Sequence, residues 1–216
     1  MNIGLIGYGY WGKILLSKLE KLGNVKFICT SKDDYKNKLN LVDWIFVATP
    51  NDTHFDIVKQ CIENNKNVFC EKPLTPTYKQ SIKLFELANK HKTKLYVNDV
   101  FNYRTEQKDI KSLVEPIKVV WNKISNNTLY DLMYHDLYLL KPFWSTLPNI
   151  NFIYGESDDR IHMINDINFT TTKSSNDALM KMIQCVLSDN VDYEYNKLIT
   201  LFCNKAIDDI SNNTNI

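Results

Sequence analysis

Three features of the sequence predict an α/β protein, a Rossmann-type parallel sheet followed by a small α+β domain with a reduced antiparallel sheet. From residue 2 to residue 97, short apolar runs alternate with segments of helical period, the order of a parallel sheet with crossover helices. The first run, Asn2-Ile3-Gly4-Leu5-Ile6, leads straight into Gly7-Tyr8-Gly9-Tyr10-Trp11-Gly12, and a helical pattern begins at once behind these glycines. Beyond residue 100 the apolar runs are short and broken by polar turns, enough for two or three strands and a few helices. The expected division is a dinucleotide-binding domain over 1–99 and a reduced α+β substrate or oligomerisation domain over 100–216.

The glycine turn carries the first functional expectation. In a G-x-G-x-x-G turn between strand and helix, the first glycine takes the tight bend and the second lets backbone approach a pyrophosphate. The third lets helix and strand pack closely. Gly7, Gly9 and Gly12 fill those places, with Tyr10 and Trp11 at a helix N-terminus whose unpaired N–H groups favour an anion. Trp11, Ile14, Leu15, Leu19 and Leu22 then recur at helical spacing until Gly23-Asn24 stops the helix. Val25–Cys29 is the next expected strand. About 20 residues beyond the glycines such folds usually carry an acid for the adenosine ribose. Here stand Thr30-Ser31-Lys32, whose hydroxyls and cation suit a 2′-phosphate and lean towards NADP over NAD. Thr30 and Ser31 equally suit a plain turn.

Residues 32–40 leave room for no more than a couple of helical turns, so the adenosine side looks abridged. Leu41–Ala48 reads as a strand buried on both faces, stopped by Thr49-Pro50-Asn51. His54, Ile57, Val58, Cys61 and Ile62 continue as a helix to Asn64-Asn65. Asn67–Cys70 is a short strand followed by Glu71-Lys72-Pro73-Leu74, then come a helix over 81–91 and a strand over 95–97. In the second half, strands are expected over 150–154, 160–164 and 167–171, and a closing helix over 198–210.

Composition narrows the partners. The chain of 216 residues is 44% apolar and 24% charged with net charge +1, and no Lys/Arg block stands out. Neither nucleic acid nor a membrane surface is expected, which leaves small molecules or further copies of the chain. Five scattered cysteines, Cys29, Cys61, Cys70, Cys185 and Cys203, have no C-x-x-C spacing, which argues for a reducing compartment and against structural zinc. Met1 runs directly into the first strand, so a cytoplasmic location is expected. No metal site is expected, since Asp131 and His135 alone would give two ligands. There is no G-x-S-x-G elbow for serine chemistry.

Four segments follow one another in the order and near the spacing of a known family. They are residues 7–12, Ala48-Thr49-Pro50-Asn51 with His54, Cys70-Glu71-Lys72-Pro73-Leu74, and Asp131-Leu132-Met133-Tyr134-His135-Asp136. With them the chain resembles the Gfo/Idh/MocA oxidoreductases, the glucose–fructose oxidoreductase and inositol dehydrogenase group, over nearly its whole length. The resemblance implies hydride transfer between NAD or NADP and a hydroxyl or ketone of a sugar, sugar nucleotide or polyol. It implies cofactor contacts from Thr49, Pro50, Asn51, His54, Glu71 and Lys72, and a cis Lys72-Pro73 bond that aims Lys72 at the nicotinamide. It implies substrate contacts from Lys72, Asp99, Asn102, Asp131 and His135, with His135 as the acid/base.

The residues bear this chemistry. An ammonium such as Lys72 steadies a developing alkoxide, and Asp131 and His135, four apart on a helix, project from one face. Asp136 lies off that face as a structural partner, and His91 and His162 show no partner pattern and read as bystanders. Two departures stand out. Asn102 sits near the position where the family has an arginine, with Arg104 two residues later, and the short second domain leaves a reduced sheet for any homodimer. The abridgement favours a non-catalytic NAD(P)- or sugar-binding protein of the same fold, whereas the coexistence of Lys72, Asp131 and His135 favours the enzyme.

Overall fold

The computed structural model describes residues 1–110, 113, 115–123, 129–141, 149–155, 161–170 and 174–213, so Arg160 and Thr171, at the ends of two expected strands, lie outside the described residues. The chain forms two compact units, Met1–Asn98 with Ile183–Ile216 and Asp99–Met182.

In the first unit β1 (Asn2–Ile6), β2 (Asn24–Cys29), β3 (Trp44–Val47), β4 (Asn67–Cys70) and β5 (Leu95–Val97) make a parallel sheet in the order β2-β1-β3-β4-β5. Parallel neighbours need crossovers, supplied by α1 (Tyr10–Leu22), α2 (His54–Glu63) and α3 (Tyr78–His91). Between β2 and β3 there is only the 3-10 turn Lys36–Leu41, which is the expected abridgement. The strand order reverses at β1, because β2 lies on one side of it and β3 on the other. A crevice outside the carboxyl ends of β1 and β3 is therefore where such a sheet takes a ligand.

Strand β3 is shorter than its apolar run. Leu41 closes the 3-10 turn and is 50% exposed, and only Trp44–Val47 is buried on both faces. On one face Ile45 and Val47 join Val68, Cys70, Val58, Cys61, Ile62 and Leu84 in the core. On the other, Phe46 stacks on Phe69 at 4.7 Å and Phe69 on Tyr96 at 6.1 Å, with Tyr193 edge-on to Tyr96. Helix α3 starts at Tyr78, before the expected Ser81, because the Thr77 hydroxyl accepts the Gln80 N–H as an N-cap.

Of the closing helices α6 (Ser174–Leu187) and α7 (Tyr193–Asn213), the residues from Ile183 onward cluster with the first unit. Strand β5 is a sheet edge, and the Asn196 amide on α7 accepts the Val97 N–H and donates to the Val97 carbonyl, both at 2.9 Å. Asn204 donates to the Thr75 carbonyl at 2.8 Å, and Asp208 accepts the Tyr78 N–H at 2.8 Å. The returning helix covers an edge that would otherwise bare its backbone groups. Residues 183–216 therefore cluster with the first unit.

The second unit holds β6 (Ile117–Asn122), β7 (Ile150–Gly155), β8 (Ile161–Ile164) and β9 (Ile167–Asn168) in the order β7-β6-β8-β9. The β6–β7 pair is parallel and the others antiparallel, so the small sheet is mixed rather than wholly antiparallel. Strand β6 has no counterpart among the expected strands, although Ile117, Val119 and Trp121 alternate inward against exposed Lys118. Around the sheet lie the short α4 (Gln107–Ile110), a π turn at Leu129–Met133 and α5 (Tyr134–Leu140). No helix among the described residues is long and apolar enough to cross a membrane.

Candidate functional site

Each glycine of the first turn does separate work. Gly7 leaves β1 with φ 101°, and a Cβ there would strike the Ala48 carbonyl. A Cβ on Gly12 would run into the Gly7 carbonyl oxygen, so that glycine sets how closely α1 lies on the turn. Gly9, the N-cap of α1, differs: a Cβ on it would meet nothing within 4 Å. That space belongs to a cavity of about 890 Å³. The first turn of α1 carries no acidic residue, so its unpaired N–H groups present an uncompensated positive end. Bare backbone facing open space at a helix N-terminus fits the pyrophosphate of a dinucleotide.

Gly7, Gly9, Tyr10, Trp11, Thr30, Ser31, Thr49 and Pro50 line this cavity, while Gly12 and Lys72 are absent from its lining. Asp33 lines it too, and sequence reasoning missed it. Its carboxylate accepts the Thr30 N–H at 2.8 Å and the Thr30 hydroxyl at 2.7 Å. The Thr30 N–H, and then its hydroxyl, hold that carboxyl below the usual carboxylate range. The signal was present, because Asp33 stands about 20 residues beyond Gly12, where a ribose-binding acid belongs.

The turn after β4 is the second feature. Lys72-Pro73 is a cis peptide, as the resemblance implies, and Lys72 is half-buried. Glu71 is absent from the cavity lining: it is 8% exposed and accepts the Asn98 amide at 2.9 Å. Burial raises its pKa, against the opposing effects of the Asn98 bond and the Lys72 charge. His54 is fully buried, with Nδ1 at 2.9 Å from the Pro73 carbonyl and Nε2 at 2.9 Å from the Thr49 carbonyl. Its ring is therefore a brace between two loops, with neither nitrogen turned to the cavity. Asn51 opens the 3-10 turn Asn51–Thr53 and is likewise absent from the lining.

In the second unit Asp131 lies in the π turn and His135 in the first turn of α5. His135 is held from two sides. Its Nδ1 is 2.9 Å from the Tyr138 hydroxyl, and its ring stacks on Phe101 at 4.3 Å. The Tyr138 hydroxyl also accepts the Phe101 N–H at 3.0 Å. Asp99 is buried and accepts the Asn102 amide at 3.2 Å, while the buried Asn102 carbonyl oxygen has no hydrogen-bond partner among the described residues. Arg104 is structural, buried against Phe101 and Phe169 and donating to the Phe169 carbonyl.

His162, expected as a bystander, is instead buried and bonded through Nε2, while its buried Nδ1 has no hydrogen-bond partner among the described residues. Asp136 accepts its Nε2 at 2.6 Å and the Trp121 indole N–H at 2.8 Å, and the His162 and Trp121 rings stack at 3.7 Å. Asp136 is a structural partner as expected. The half-buried His91 bonds to Asn65. No group of three or more His, Cys, Asp or Glu that could hold a metal occurs among the described residues.

Residues 17–99 match the profile of an oxidoreductase family with an NAD-binding Rossmann fold. The uncharacterized oxidoreductase YdgJ of Escherichia coli is 32% identical over 132 residues, covering 52% of this chain and 37% of that protein. The 2,7-anhydro-N-acetylneuraminate hydratase of the same organism is 26% identical over 121 residues, covering 48% of this chain and 32% of that protein. The matched stretches thus span about a third of the length of these relatives. Among solved structures, the WlbA (WbpB) dehydrogenase of Thermus thermophilus, in complex with NAD and UDP-GlcNAcA, superposes with a TM-score of 0.74 at 11% identity. That match covers 96% of this chain and 94% of the other, a likeness of fold.

Proposed function

We propose that the chain is an oxidoreductase of the Gfo/Idh/MocA family and that it binds a nicotinamide dinucleotide across the Gly7–Gly12 turn. Its reaction moves hydride between that cofactor and a hydroxyl or ketone of a sugar, sugar nucleotide or polyol. The observation that carries the reading is the open space at Gly9, at an uncompensated helix N-terminus and at the switch point of the sheet. Gly9, Tyr10 and Trp11 would hold the pyrophosphate, and Thr49 and Pro50 would wall the dinucleotide. Between the two cofactors, Asp33 favours NAD: a carboxylate accepts a ribose 2′-OH and repels a 2′-phosphate, and it already engages Thr30. This reverses the preference drawn from Thr30-Ser31-Lys32 alone. Five free cysteines, four of them buried, are in keeping with a reducing, cytoplasmic setting.

Bound there, the nicotinamide would supply the hydride acceptor or donor for a carbinol carbon. Lys72 stabilises the alkoxide that develops as the hydroxyl proton leaves. His135, its ring plane fixed by Phe101 and Tyr138, takes that proton, and Asp131, Asp99 and the Asn102 carbonyl bind substrate hydroxyls. One relative is a 2,7-anhydro-N-acetylneuraminate hydratase and one structural neighbour is in complex with UDP-GlcNAcA, so these compounds are the first substrates to test. Titration of NADH and NADPH, followed by energy transfer from Trp11, should give binding with NADH preferred, and no binding of either at millimolar concentration overturns the reading. Once turnover is found at 340 nm, Lys72→Ala should lower kcat at least about a hundredfold with cofactor binding kept.

A further inference from the structure

We propose that His54 is a positioning residue of the dinucleotide site: its ring links the Thr49 carbonyl, on the loop that lines the cavity, to the Pro73 carbonyl beside Lys72. It thereby sets where Lys72 stands relative to that loop. The proposal rests on the cofactor reading above and goes beyond it, because His54 touches neither cofactor nor substrate.

The geometry is specific about protons. Both ring nitrogens face carbonyl oxygens at 2.9 Å, and a carbonyl can only accept. A neutral imidazole has one N–H, so it can donate to Thr49 or to Pro73 and turns a lone pair on the other. The imidazolium donates to both. Burial pushes the His54 pKa below the ordinary histidine value, while the carbonyls of Pro73, Thr49 and Leu74 and the charge of Asp52 pull it back up. Charged groups on the adjoining segments are Asp52 on the turn that precedes α2, Asp56 on α2 itself, and Glu71 and Lys72 on the turn after β4. The linkage is thus half made when the ring is neutral and complete when it is protonated. The spacing of the two loops then follows the charge of one buried ring.

The test is a side-chain and amide NMR titration of the intact protein with binding measured alongside. His54 should titrate below the ordinary histidine value, with the amides of Thr49 and Leu74 shifting at the His54 midpoint. NAD⁺ affinity, measured by calorimetry at about pH 5 and about pH 8, should be higher at the lower pH. His54→Gln, melting cooperatively, should bind NAD⁺ about tenfold more weakly at low pH and lose the pH dependence. His91→Gln should keep both the affinity and its pH dependence. If Thr49 and Leu74 do not share the His54 midpoint, or a folded His54→Gln binds NAD⁺ as the wild type does at both pH values, the proposal is overturned. If the wild-type chain binds no NAD⁺, the cofactor reading fails and the shared midpoint alone decides the linkage.

Discussion

Alanine at Gly9 separates the fold from the cofactor site. Gly9 has φ −79° and ψ −158°, a conformation open to any residue, and a methyl there projects into empty space. The loss of stability is therefore that of a poorer N-cap, at most about 1 kcal/mol. With the cofactor bound as proposed, the same methyl would occupy the place of the pyrophosphate and lift it off the first-turn N–H groups of α1. Each hydrogen bond to a charged group is worth about 1.5–3 kcal/mol, so losing two costs about 3–6 kcal/mol and raises the NADH Kd about 10²–10⁴-fold. Gly12→Ala is the contrast, because its methyl meets the Gly7 carbonyl oxygen inside the packed turn. Overpacking of about 1–3 kcal/mol should lower its Tm by about 2–12 °C. The assay pairs thermal melting with NADH titration by energy transfer from Trp11. A folded Gly9→Ala protein that binds NADH within threefold of the wild type would refute the placement of the pyrophosphate.

Other substitutions probe other parts of the molecule. Asp33→Ser removes the anion beside the cavity and should shift the NADPH-to-NADH affinity ratio at least about tenfold towards NADPH; an unmoved ratio means that Asp33 does not face the ribose. Asp136→Ala strands the buried His162 and the Trp121 indole N–H, and chemical denaturation should read a loss of about 3–5 kcal/mol, with a loss under about 1 kcal/mol speaking against the network. Glu71 has a native pKa raised by burial, so its contribution is fully present below the ordinary carboxylate range and is lost as pH rises through the raised value. Glu71→Gln, which keeps the acceptor for Asn98, should therefore melt above the wild type at about pH 8 and level with it at about pH 4, and an equal offset at both would count against that origin. On the outward face of the small sheet Val120, Ile153, Ile161 and Met163 share one side, with Ile153 41% and Ile161 38% exposed. We expect a homodimer across that face, dissociated by Ile153→Asp, and light scattering from a wild-type monomer at tens of micromolar would exclude it.

The parts legible in the sequence are those where the backbone itself makes a demand on residue type. A turn needing positive φ at Gly7 and no side chain at Gly12 can be met by few residues, so the first turn was readable from its spacing. Strands β3 and β4, buried on both faces, show as unbroken apolar runs, and a proline fixes the turn after β4. The mixed small sheet, the brace at His54 and the Trp121-Asp136-His162 network were decided by the tertiary structure. Each depends on partners distant in sequence: Asp136 meets His162 across 26 residues, and Asn196 closes the edge of β5 across 99. Side chains of this kind sit in segments whose own periodicity says only helix or strand. What they touch is set by which surfaces pack when the chain returns on itself, because a buried polar group must find its partner wherever the fold brings one.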